Sequence, residues 1–262
     1  MLSREGKMRD NAILTEAVVR LKKMLTADQP LLDLRISVRA VCLTPEEAIG
    51  NPMRRDYPII EGKERVIEAT VLHSKGQAFT DDPGEFTGTV QEIFDLDLSS
   101  NRNRAIVIAA MNALLGHRGL VDGTVHCRNE DPEKCSKEIA LHIFEKFGRV
   151  TVGLIGLNPA LLEALANTFG AERVRATDLN RKNIGTVKYG VEIGDGRERT
   201  EDMVRSSDIL LITGTTLVNG TLDGILDLVA RYGKNYLLYG TTIAGVARLR
   251  GLDRICPYAR NG

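Results

Sequence analysis

Ser207 to Leu226 reads Ser-Asp-Ile-Leu-Leu-Ile-Thr-Gly-Thr-Thr-Leu-Val-Asn-Gly-Thr-Leu-Asp-Gly-Ile-Leu, and this stretch decides the fold. Ile209 to Ile212 is a short, unbroken apolar run closed by a Gly/Thr turn. Such a run suits a strand buried on both faces of a parallel sheet. Thr213, Gly214, Thr215 and Thr216, then Asn219, Gly220 and Thr221, crowd small polar groups into one turn. A helix is expected next, with Leu222, Ile225, Leu226 and Val229 at helical spacing. In an open α/β sheet, ligands sit at the carboxyl ends of the strands. The turn has more polar groups than a helix cap needs, so Thr213, Gly214, Thr215, Asn219 and Thr221 are candidate ligand contacts. Plain capping by Thr and Asn is the alternative.

The same pattern recurs on both sides. Upstream, Arg149 to Ile155 reads as a strand, Gly156-Leu157-Asn158-Pro159 as a tight turn and Ala160 to Phe169 as a helix. Gly153 and Gly156, followed by Asn158 and Pro159, resemble a truncated dinucleotide fingerprint. A second strand, Arg173 to Thr177, ends at Asp178, where a carboxylate can accept both hydroxyls of a ribose. Asn180 stands beside it. An ordinary turn aspartate is the competing explanation. Downstream, Tyr236 to Tyr239 reads as a buried strand ending in Gly240 and Thr241. Several strand ends thus deliver small and polar residues to one rim, which is the strongest functional signal in the chain.

Residues 1 to about 120 differ in kind. Ala12 to Leu25 has an amphipathic helical pattern (Leu14, Val18, Leu21, Leu25). Leu34 to Cys42 alternates as a strand with one wet face. Thr44, Pro45 and Glu47 form a capping-box start to a short helix. Arg65 to His73 is a strand, Ser74-Lys75-Gly76 a turn and Gln77 to Thr80 a third strand. Asp81-Asp82-Pro83-Gly84 is turn chemistry with two carboxylates. Asn101, Arg102 and Arg104 lie at the start of an apolar helix, Ala105 to Leu115, where an anionic ligand group or simple capping would each fit. Asn112, inside that helix, needs partners if buried. These features predict a small α+β domain over 1–120. A second domain, 121–262, has a mostly parallel sheet, with 121–148 as connector and first helix.

In the connector, Asp131 and Pro132 mark the start of a helix running to about Phe147, with Cys135 in its first turn, where the helix dipole lowers a thiol pKa. His126, Cys127 and Cys135 are types that bind soft or borderline metals. Their spacing is not a standard zinc spacing, and incidental thiols are the simpler account.

The whole composition bounds the answer. The 262 residues include 35 basic and 35 acidic side chains, which argues against a broad nucleic-acid footprint. No apolar run approaches membrane-spanning length. The charged N-terminal stretch and the scattered cysteines lead us to expect a cytoplasmic protein without a disulfide framework. A homodimer is expected only on general grounds of symmetry.

The chain resembles the DUF364 family, named for heavy-metal chelation, with its associated N-terminal DUF4213 domain. The resemblance is carried by Gly76-Gln77-Ala78-Phe79-Thr80, Asn101 through Leu114, Gly153-Leu154-Ile155-Gly156 with Pro159, and Asp178-Leu179-Asn180. Thr213 through Asp223 carries it most specifically. It implies an enolase N-terminal-like domain followed by a Rossmann-like domain, with a ligand cleft between them. It also implies partial similarity to methyltransferases, hence S-adenosylmethionine or another nucleoside-containing cofactor. The expected function is therefore an enzyme-like, small-molecule-binding protein acting on a heterocyclic or metal-chelating compound. The reaction would be methyl transfer, condensation or hydrolysis. A transition-metal binding module without turnover is the alternative, and a scaffold with a vestigial cleft is the third. No Ser-His-Asp or paired-carboxylate motif names a nucleophile or base.

Overall fold

The computed structural model describes residues 11–27, 37–62 and 64–262. The N-terminal elements are α1 (Ala12–Ala27), β1 (Ser37–Leu43), α2 (Pro45–Ile49), β2 (Arg65–Val71), β3 (Ser74–Thr80), β4 (Phe86–Thr89), α3 (Val90–Phe94) and α4 (Asn101–His117). Four strands pair antiparallel in the order β3-β2-β1-β4. Leu34 to Ile36, expected to open the first strand, lie outside the described residues. The capping box of α2 forms as read: Thr44 accepts from the Glu47 amide, and the Glu47 carboxylate accepts from the Thr44 amide. The β2–β3 turn differs from the expected Ser74-Lys75-Gly76. Val71 pairs with Ser74, so Leu72 and His73 make the turn, with Leu72 at φ 56°. Gly76 is inside the strand because α4 packs on it. A Cβ there would meet the Ala113 nitrogen at 2.3 Å and the Ala109 carbonyl at 2.4 Å.

The second half contains α5 (Asp131–Phe147), β5 (Val152–Ile155), α6 (Pro159–Phe169), β6 (Val174–Asp178), β7 (Val187–Lys188), β8 (Val191–Asp195), α7 (Thr200–Ser206), β9 (Ile209–Thr213), α8 (Thr215–Val218), α9 (Leu222–Arg231), β10 (Asn235–Tyr239), α10 (Ala244–Arg250) and β11 (Arg254–Ile255). Its seven strands run in the order β11-β10-β9-β5-β6-β8-β7, all parallel except the β7–β8 hairpin. The fold is α/β. Val187 to Ile193, read as one short strand, is this hairpin, turned at Tyr189 and Gly190 with positive φ. Asp131 is not the cap of α5 but its first residue. Glu130 precedes it without a side-chain cap bond.

Both faces of the parallel sheet are covered, as the unbroken apolar run of β9 requires. Ile209 and Leu211 join α5 and α6 in one buried cluster. Leu210, Ile212 and Leu238 join the other cluster, which also holds α1, α4 and the inner face of the small sheet (Ile67, Ala69, Val71). Helix α4 is apolar all round because it lies between that sheet and the helices over the large one. Helix α1 lies along α9 and α10. Arg20 donates to the Leu249 carbonyl, the Ile13 amide to Asp223, and Arg250 pairs with Glu16. Among the described residues no helix is long and apolar enough to cross a membrane.

Candidate functional site

Strand order in the large sheet reverses beside β5: β6 and β8 follow on one side, while β9 and β10 lie on the other. Side chains and loops diverge at such a switch point and leave a crevice beyond the strand ends. Here the small sheet closes over that crevice, making a cavity of about 1180 Å³. A cavity of this size is at or above the upper end for small-molecule sites.

Gly156 forms the first rim turn, at φ 85°. A Cβ at that position would meet Thr213 Cγ2 at 2.4 Å, so the turn requires glycine. Its amide donates to the Thr177 carbonyl at 2.9 Å, and its carbonyl accepts from the Tyr239 hydroxyl at 3.1 Å. Asn158 then caps α6, its Oδ1 accepting from the Leu161 amide at 3.1 Å. Asp178 ends β6. Oδ1 accepts from the Asn180 amide (2.9 Å) and Oδ2 from Asn183 Nδ2 (2.8 Å). Each oxygen keeps lone-pair capacity, and the two donors fix the carboxylate in place.

Thr213 receives hydrogen bonds from the amide and hydroxyl of Thr215, while Thr216 donates to the Thr213 carbonyl at 2.6 Å. Asn219 accepts from both the amide and the hydroxyl of Thr221. Gly214 lets this loop approach the next one: a Cβ there would lie 2.9 Å from the Ile243 nitrogen. The Gly240 loop is joined to the small sheet by Asn112, which is fully buried. Its Nδ2 donates to the carbonyls of Gln77 (3.0 Å) and Thr241 (3.1 Å), and its Oδ1 accepts from the Gly245 amide at 2.8 Å. The Thr242 hydroxyl adds a bond from the Phe79 amide at 3.1 Å. The partners that Asn112 needs are all protein groups.

The cavity brings together Asn101, His126, Cys127, Cys135, Gly156, Asn158, Asp178, Leu179, Asn180, Thr213, Gly214, Thr215, Asn219, Thr221, Gly240 and Thr241. Four other candidates are not on its wall. Gly153 lies within β5, where a Cβ would strike Leu210 and the Ser207 hydroxyl at 2.7 Å. Pro159 is the buried first residue of α6. Arg102 turns to Asp82 at 2.8 Å. Arg104 is buried, its guanidinium bonded to the carbonyls of Val218 and Leu98 and to Asn101. Arg104 ties α4 to the end of α8 rather than presenting a charge to a ligand.

Two residues that composition and spacing did not mark, Glu64 and Tyr239, stand out on the wall, together with Cys256, whose residue type suggested either a metal site or packing. Glu64, just before β2, has no hydrogen-bond or ion-pair partner for its carboxyl among the described residues. Burial, then the Asp178 and Asp81 carboxylates, push its pKa up to about 7, with His126 acting in the opposite direction. Tyr239 is held above the ordinary phenol range by burial first, with Glu64 and Asp178 adding to it. Cys256 lines the cavity beside Cys135. Nothing in the run Glu61-Gly62-Lys63-Glu64-Arg65 separates Glu64 from a solvated surface charge.

His126 donates from Nδ1 to the Cys127 carbonyl at 2.6 Å, because a carbonyl can only accept. Burial holds its pKa below the usual value. The Cys135 thiol is not lowered by the helix start. It is pushed up to about 12, first by its contact with Cys127. Among the described residues no group of three or more His, Cys, Asp or Glu side chains is placed to hold a metal ion. Among the described residues His126, Cys127 and Cys135 are thus not gathered as a three-residue ligand set, and Nδ1 of His126 is taken by the Cys127 carbonyl.

Residues 139–253 match the family DUF364, described as "Putative heavy-metal chelation". The match confirms the DUF364 resemblance over that stretch and does not reach the N-terminal part, where the resemblance implies a DUF4213 domain. Among solved structures, the chain is similar to a DUF364-family protein of unknown function from Pyrococcus horikoshii. The two are 15% identical with a TM-score of 0.50, over 86% of this chain and 79% of that one. It is also similar to a DUF364-family protein of unknown function from Desulfitobacterium hafniense, at 14% identity and a TM-score of 0.49, over 71% and 72%. At these identities the likeness is one of fold. No curated protein matches the chain.

Proposed function

We propose that the protein binds a nucleoside-containing small molecule along the strand-end rim and acts on a second compound held toward the small sheet. One observation carries this. The Gly156 turn, Asp178, the Thr213 loop and the Gly240 loop open on one cavity at the switch point of the sheet. Asp178, fixed by two donors, is suited to accept ribose hydroxyls. Thr213 and Thr215 offer hydroxyls along the same edge. The inner wall supplies Glu64, a carboxyl that titrates near neutrality and so can take up or release a proton at physiological pH. S-adenosylmethionine is the leading candidate cofactor, with methyl transfer as the reaction class.

Thermal-shift and calorimetric titration with adenosine and S-adenosylmethionine test this directly. Ligand at about a hundred times its dissociation constant should stabilise the protein by about 2.7 kcal/mol, a shift of several degrees. Asp178→Ala should abolish that shift while the unliganded protein still melts cooperatively. Equal shifts in both proteins would remove the ribose role.

Soft-metal binding is the second reading, favoured by three cysteines on the same wall and opposed by the absence of an assembled ligand set. Elemental analysis of the wild type and Cys135→Ser decides it. One metal per chain, lost in the variant, would reinstate it.

A further inference from the structure

The cavity is built for positive charge. Among its described lining residues, Glu64, Asp81, Asp178 and Asp227 are acidic, while Arg197 and Arg231 are basic. Four acidic side chains against two guanidinium groups leave an acidic excess of one to two charges, set by the protonation of Glu64. Both arginines are also engaged elsewhere. Arg197 donates to the Leu179 carbonyl at 3.1 Å and pairs with Asp195 at 3.7 Å, and Arg231 pairs with Glu201 at 3.6 Å. Glu64, Asp81 and Asp178 thus share one wall, beside a histidine whose pKa burial lowers.

Two further observations point the same way. A glycine turn leading into a helix normally cradles phosphate on the free amides of the first helical turn. In α6 that anion site is weakened, because two of its amides are unavailable. Pro159, at the first position, has no N–H, and the Leu161 amide is already bonded to Asn158 Oδ1 at 3.1 Å. The hydroxyls of Thr177 and Thr241 have no hydrogen-bond partner, although the residues are only 3% and 1% exposed and both line the cavity. Each can accept from, or donate to, a polar group brought in by a ligand.

On this basis we propose that the cavity takes an organic cation, an amine or sulfonium carried on a nucleoside-sized molecule. Its positive centre sits against Glu64 and Asp81, Asp178 being taken by the ribose, and the cavity rejects phosphorylated counterparts. The proposal rests on the nucleoside reading above for the size of the ligand, and on the wall's own charge for its sign.

The test is a matched series differing only at one atom group: 5′-amino-5′-deoxyadenosine, adenosine and adenosine 5′-monophosphate. Benzylamine and benzoate serve as a pair without a nucleoside. Calorimetry on the full chain should rank the 5′-amine at least ~tenfold tighter than the 5′-phosphate, about 1.4 kcal/mol. Glu64→Gln should bring that ratio within about threefold, since one of the two carboxylates facing the charge is then neutral. Asp81→Asn, a separate conservative change on the same wall, should move it in the same direction. Benzylamine binding better than benzoate, with no nucleoside binding, would uphold the charge selection and remove the nucleoside reading. Phosphate binding as well as the amine, a ratio unchanged in Glu64→Gln, no binding in either series, or displacement of the amine by Mg²⁺ alone would each overturn the proposal.

Discussion

Replacing Asn112 by alanine should cost about 3–4 kcal/mol of stability and loosen the cavity at the same time. The side chain is 0% exposed and holds four polar groups: the carbonyls of Gln77, Thr241 and, at 3.4 Å, Thr242, together with the Gly245 amide. The three shorter bonds contribute about 1 kcal/mol each, and leaving a buried amide or carbonyl unpaired costs roughly 1–3 kcal/mol more per group, partly relieved if water enters. For a chain of this length, 3–4 kcal/mol corresponds to a fall in Tm of roughly 10 °C. Because Thr241 and Thr242 belong to the Gly240 loop, ligand affinity should fall along with stability. Asn112→Leu, which fills the volume without the polar atoms, should lose nearly as much, whereas a packing role would let it recover. Urea denaturation of the three proteins, each with and without ligand, makes the comparison. Losses below about 1 kcal/mol in both variants would refute the view that this amide joins the two sheets.

Other outcomes follow from the same structure. Gly156→Ala should destabilise by roughly 2–4 kcal/mol, from the left-handed backbone and the contact with Thr213, and should eliminate any nucleoside-induced thermal shift. A denaturation midpoint equal to wild type would contradict that geometry. Glu64 holds its proton more tightly in the folded state than in the unfolded chain. Its contribution is therefore intact below about pH 4.5 and is lost as pH rises through about 7. Glu64→Gln should match wild type at pH 4 and exceed it by roughly 3 kcal/mol at pH 8. A constant difference across that range would show that Glu64 does not titrate in this way.

The central parallel strands were legible because β9 is an unbroken apolar run and β6, β9 and β10 stop at Asp178, Thr213 and just before Gly240. Ile209 to Thr213 and Val174 to Asp178 needed no long-range information to be placed. The rim was legible for the same reason. The cavity's inner wall was not. Glu64 acquires its character from Asp178 and Asp81, which lie far along the chain, and a local pattern cannot express that distance. Arg104 illustrates the opposite error. An arginine at a helix start suggests an anion site, but here the carbonyls of Val218, at the end of α8, and of Leu98, just before α4, turn toward the guanidinium and occupy donors. The strand Phe86–Thr89 (4 residues) and helix Val90–Phe94 (5 residues) escaped because each is too short to show a period and is defined by pairing with β1 and by the Thr89–Glu92 cap.

The placement of α1 has a consequence for how the chain reaches its fold. Its buried stripe, Leu14, Val18 and Leu21, closes on α9 and α10, and Arg20 finds its acceptor 229 residues further on. During synthesis, helix α1 is made before α9 and α10, and until those helices emerge it meets only earlier elements, such as the end of α3, where Lys22 pairs with Asp95 at 3.3 Å. Contacts this distant slow folding, and an apolar surface left waiting invites association with other chains. The order of synthesis and the order of assembly are therefore opposed here: α1 is translated well before α9 and α10 and is fully seated only with them.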